Sequence, residues 1–68
     1  MSVSKHTLSK VAFFRRELMK VYDKYNSDTV TRAFDILDQI ESGEKSETLF
    51  RTVEGHLVAA RRIQGIMA

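Results

Sequence analysis

Asp35, Asp38 and Glu41 follow one another at intervals of three residues, so on an α-helix neighbouring carboxylates lie one turn apart and can share a cation. A cation site needs further ligands and a supporting outer shell, and an acidic solvated helix face produces the same spacing. No metal is therefore assigned. His6 and His56 are far apart with no ligand-spaced companion, and cysteine is absent, which removes thiolate metal sites and disulfides together. His56 borders an apolar helix face and reads as a packed histidine rather than a base. No nucleophile stands beside a base, and no pair of carboxylates is marked for acid–base work. Gly43, Gly55 and Gly65 are dispersed and follow no strand, so they form no phosphate-binding loop. The chain reads as non-catalytic, with no cofactor.

Recognition chemistry is better represented. Phe13 and Phe14 are adjacent, and a helix that turns about 100° per residue cannot aim both at one core. Phe14 shares a face with Val11, Leu18, Val21, Tyr22 and Tyr25, whereas Phe13 falls among Lys5, Ser9, Arg16, Lys20 and Lys24. An aromatic side chain ringed by charge has the composition of a protein-interface anchor. Phe13, Arg16, Glu17 and Lys20 are the expected partner-binding residues, either for a foreign protein or for the chain's own dimer contact.

A second function class uses the same helix. Lys5, Lys10, Arg16, Lys20 and Lys24, with Arg61 and Arg62 near the C-terminus, could contact phosphates while Phe13 stacks on a base. A helix-turn-helix is a poor match. A turn at Gly43 leaves Asp35, Asp38, Glu41, Glu44 and Glu47 near the reading surface, and a turn at Gly55 puts Glu54 and His56 where apolar packing residues belong. The leading expectation is thus a small adaptor, inhibitor or regulatory subunit that binds a protein partner, with a nucleic-acid-binding regulator as the alternative.

The elements that must position these residues are helices. The 68 residues contain no proline, and hydrophobic periodicity predicts three helices over about 7–25, 28–42 and 46–67. In the first, capped by Ser4 or Thr7 and ended by Asn26, apolar residues at 8, 11, 14, 18, 21 and 25 form a bundle-like seam. In the second, capped by Ser27 or Asp28, Val30, Ala33, Phe34, Leu37 and Ile40 face inward, with Ile36 at the edge. Gly43 reads as a C-terminal cap, and Ser46 as the next N-cap. In the third, Leu49, Phe50, Val53, Leu57, Ala60 and Met67 form the core face, and His56 and Ile63 border it. Its other side carries Thr48, Thr52, Gly55, Ala59 and Ile66, and a glycine there either kinks the helix or admits a close neighbour.

The fold expected is all-α: a three-helix bundle, or a helical hairpin with a long C-terminal helix, completed by homo-oligomerisation. A chain this short hides only about 60% of its unfolded surface, and without disulfides or metal a second copy is the remaining staple. Thr52, Gly55, Ala59 and Ile66 are the expected self-association residues. Charge alternates along the chain. Residues 1–25 carry six Lys/Arg against Glu17 and Asp23, residues 26–48 carry two against six acids, and residues 49–68 carry three against Glu54. A basic helix beside an acidic one is the expected arrangement, which either keeps the fold soluble or presents a basic face to an acidic partner. The first helix also resembles a membrane-surface helix, but two further amphipathic helices favour a bundle. With no signal-like run and no apolar stretch near the ~20 residues of a membrane span, a cytoplasmic location and no membrane partner are expected.

Overall fold

In the computed structural model, which describes residues 3–44 and 46–67 apart from the side chains of Ser46 and Met67, three helices pack side by side. Helix α1 spans Lys5–Val21, α2 Ser27–Glu41 and α3 Ser46–Met67. No strand occurs among the described residues. The expected capping role of Ser46 and core role of Met67 lie outside the described residues.

The packing order follows from four cross-helix ties. Phe14 stacks on Phe50, and Glu17 pairs with Arg61, so α1 and α3 run parallel. Arg15, on α1, pairs with Asp38 and Glu41 near the end of α2, while Asn26 at the start of α2 reaches Ala60, so α2 runs antiparallel to both. The core consists of Val11, Phe14, Leu18 and Val21 from α1, Val30, Ala33, Leu37 and Ile40 from α2, and Phe50, Val53, Leu57 and Ala60 from α3. Phe34, Ile36 and Leu49 pack at its margin. Each set repeats at intervals of three and four residues, the signature of one buried helix stripe.

Helix α1 differs from the expectation at both ends. It begins earlier because Ser4 is the cap: the Ser4 Oγ accepts the Thr7 backbone N–H at 3.1 Å, satisfying one of the first-turn donors. The inner line then runs Thr7, Val11, Phe14, Leu18, Val21, which leaves Leu8 one step around the helix and 43% exposed. At the other end α1 stops at Val21 rather than near Tyr25. Tyr22 adopts extended backbone angles, and Asp23 and Asn26 exchange hydrogen bonds across the turn. The Asp23 Oδ1 accepts from the Tyr25 and Asn26 N–H groups, and the Asn26 Oδ1 accepts from the Asp23 N–H at 2.8 Å. This is the reciprocal arrangement of a capping box, made with Asp and Asn. It draws residues 23–26 out of α1 and leads them into α2. Tyr22 and Tyr25, expected on the inner face, are instead about half exposed.

The α2–α3 connection matches its expected chemistry. Gly43 has φ 103°, a left-handed conformation that glycine adopts without a Cβ clash. The Gly43 N–H donates to the Ile40 carbonyl and the Glu44 N–H to the Gln39 carbonyl, which together make a Schellman motif. Helix α3 runs unbroken through Gly55, at roughly 33 Å for its 22 residues, and forms the long edge of a molecule of 42 × 16 × 15 Å.

Candidate partner-binding surface

The α1 residues expected to bind a partner lie on one flank, and the structure separates their roles. Phe13 is 48% exposed, with its ring edge-on to Phe14 at 5.6 Å and 75°. Phe14 stacks in turn on the buried Phe50 ring at 5.9 Å and 28°. Phe13 therefore rests against a ring that is itself fixed in the core, without being buried. Aromatic pairs in such geometries contribute about 0.5–1.5 kcal/mol beyond area burial. A pre-positioned ring loses little freedom when a partner covers it.

Arg16 and Lys20 are exposed beside it. Glu17 is half-buried and turned toward its own fold: it accepts from the Lys20 Nζ at 3.0 Å and from an Arg61 guanidinium nitrogen at 3.1 Å. The Lys20 hydrogen bond, with the charges of Lys20, Arg61 and Arg16 behind it, holds the Glu17 carboxyl below the usual glutamate range. Glu17 thus ties α1 to α3 and sets the Lys20 position, while Arg16 and the outer half of Phe13 remain open to solvent.

The cations expected for nucleic acid are not equivalent in space. Lys5, Arg16 and Arg62 are exposed and make no ion pair among the described residues. Lys20 and Arg61 share Glu17. The Lys10 Nζ lies 4.7 Å from the Phe50 ring centroid, and Lys24 has left α1 for the connecting turn, where its Nζ sits 5.0 Å from the Tyr25 ring. The continuous stripe expected from Lys5 to Lys24 is interrupted because α1 ends at Val21.

The acidic helix is similarly employed in bracing. Arg15 donates to Asp38 Oδ1 and Glu41 Oε1, both at 2.6 Å, and to Glu41 Oε1 again through its Nε at 3.2 Å. Those hydrogen bonds, Asp38's first and Glu41's second, raise the guanidinium pKa further. Two of the three carboxylates that could have shared a cation therefore hold an arginine. Among the described residues no group of three or more His, Asp or Glu side chains is arranged to hold a metal ion. His6 is exposed and His56 half-buried at the edge of the core. No helix among the described residues is long and apolar enough to cross a membrane.

On α3 the expected self-association residues divide. Gly55 and Ala59 line a shallow, open trough on the outer face of α3 together with Arg51, Glu54, Val58, Arg62 and Ile63. Thr52 is exposed and donates its hydroxyl back to the Thr48 carbonyl at 3.1 Å, and Ile66 is 79% exposed farther along the helix. A second hollow of about 500 Å³ between the first halves of α1 and α3 shares Arg51 and Glu54 with the trough. Sequence reasoning passed over Arg51, Glu54 and Val58 as surface members. Their spacing of three and four residues around Gly55 was the signal that links them.

Asn26, which the sequence marks only as a helix stop, has a second role. It is 1% exposed, and its Nδ2 donates to the carbonyls of Val21 at 2.7 Å and Ala60 at 3.2 Å. One side chain thereby joins all three helices at the end of the bundle. Comparison with protein-family models, with curated proteins and with solved structures found no match to this chain.

Proposed function

We propose that this chain is a small non-catalytic protein-interaction module of the cytoplasm, acting as an adaptor, inhibitor or regulatory subunit through the outer flank of α1. The observation that carries the reading is Phe13: a half-exposed aromatic ring, set edge-on against Phe14, which itself stacks on Phe50, and flanked by Arg16 and Lys20. Aromatic and arginine side chains dominate interface hot spots, and a rim of charge selects and steers the partner. The distribution of charge supports an acidic partner surface, since α1 carries four more basic than acidic residues and α2 three more acidic than basic.

The test is affinity capture from native cell extract with tagged wild-type, Phe13→Ala and Lys20→Glu proteins, each with and without nuclease. One protein recovered in near-equal amount in both lanes, and lost with Phe13→Ala, supports the module. Recovery of nucleic acid, with accompanying proteins vanishing after nuclease and Lys20→Glu causing the larger loss, replaces it with a phosphate-binding regulator whose affinity falls steeply with salt.

A further inference from the structure

Gly55 sits in the middle of α3 on its exposed side, and a Cβ added there meets nothing within 4 Å. Glycine weakens a helix interior relative to alanine, and no contact among the described residues requires one at that position. Around it on the shallow α3 trough lie Val58, 43% exposed, and Ala59. Its rim bears charges of both signs: Arg51, Glu54 and Arg62, none of which makes an ion pair or side-chain hydrogen bond among the described residues.

We propose that a second copy of this chain occupies the trough, its α3 antiparallel to the first across a two-fold axis near Val58. The charges select this occupant. Glu54 lies four residues before Val58 and Arg62 four after, so the two-fold brings each Glu54 level with the partner's Arg62, twice over. An isologous contact must be self-complementary in this way, whereas a uniformly anionic ligand meets Glu54. Gly55 lets the two backbones approach, and Val58 packs on its own symmetry mate. The trough uses none of Phe13, Arg16 or Lys20, so the pairing stands independently of the proposed partner face. A contact along one helix pair is small beside the large interfaces of permanent assemblies, so the pairing is expected to be reversible and to depend on concentration.

Sedimentation equilibrium of the full chain from low micromolar to several hundred micromolar tests the proposal. The mass is expected to rise with concentration from 7.8 kDa toward twice that value. Glu54→Arg and Arg62→Glu each set like charges opposite one another and are expected to raise the dissociation constant at least tenfold. An equimolar mixture of those two variants restores opposite charges on both sides and recovers the dimer as a heterodimer. Gly55→Ala supplies a readout that misfolding cannot imitate, because it raises the melting temperature of the dilute monomer while weakening association. A mass of 7.8 kDa throughout overturns the proposal. So does a dimer unaffected by Glu54→Arg and Arg62→Glu, or a mixture of the two that stays monomeric.

Discussion

Replacing Asn26 by alanine removes three hydrogen bonds from a side chain that is 1% exposed. The Val21 and Ala60 carbonyls lose the Nδ2 donor, and the Asp23 N–H loses its Oδ1 acceptor. At about 1 kcal/mol net per buried hydrogen bond the loss is about 3 kcal/mol, and any group left without water adds to it. A chain of 68 residues is expected to be stable by only about 3–10 kcal/mol, so a single truncation consumes a large part of the total. For a domain of this size each kcal/mol moves the melting temperature by about 4–8 °C, giving an expected drop of about 12–24 °C. Thermal and urea unfolding followed by helical circular dichroism measures it. Asn26→Asp sharpens the test, since it is nearly isosteric and retains the acceptor for Asp23, but it points oxygen at two carbonyls. It is expected to be at least as destabilising as alanine at neutral pH and to recover partly on acidification, when protonation supplies one donor. A shift below about 4 °C for Asn26→Ala, worth less than about 1 kcal/mol, refutes the role of Asn26 as the link among the three helices.

Three further outcomes follow from the same geometry. Phe13→Ala is expected to lower the melting temperature by only a few degrees, because the ring is half exposed and its main contact is edge-on with Phe14; a collapse of the fold on this change refutes its assignment to an interface. Glu17 is held below the usual carboxylate range in the folded state, so its contribution is complete above the unfolded glutamate value and is lost as pH falls through the lowered folded value. Glu17→Gln should therefore flatten the acid limb of a stability-against-pH curve, and an unchanged limb means that the tie to Lys20 and Arg61 does not form. Gly43→Ala must hold an L side chain at φ 103° and is expected to cost about 1–2 kcal/mol, whereas Gly65→Ala, with open space around it, is expected to stabilise by about 0.5–1 kcal/mol. Equal effects at the two positions on unfolding in urea contradict that reasoning.

The sequence by itself determined the three helices, nearly all of the core and the capping glycine at Gly43. Each of these rests on local or periodic physics: apolar side chains three and four residues apart share one face, and only certain residues satisfy the free backbone groups at a helix end. The same pattern placed Phe13 outside the core, and it is half exposed. Where α1 ends was decided by tertiary structure. Local periodicity carried the apolar seam on to Tyr25, but Asn26 is drawn inward to serve carbonyls on two other helices, one of them on Ala60, 34 residues away. Which charges remain available was likewise outside the reach of the sequence. Glu17 and Arg61, or Arg15 and the pair Asp38 and Glu41, belong to different helices, and helical spacing says which side of its own helix a residue occupies without saying what faces it. The open space around Gly55 has the same origin, because whether a glycine is covered depends on the path of every other helix. Periodicity assigns faces; packing assigns neighbours.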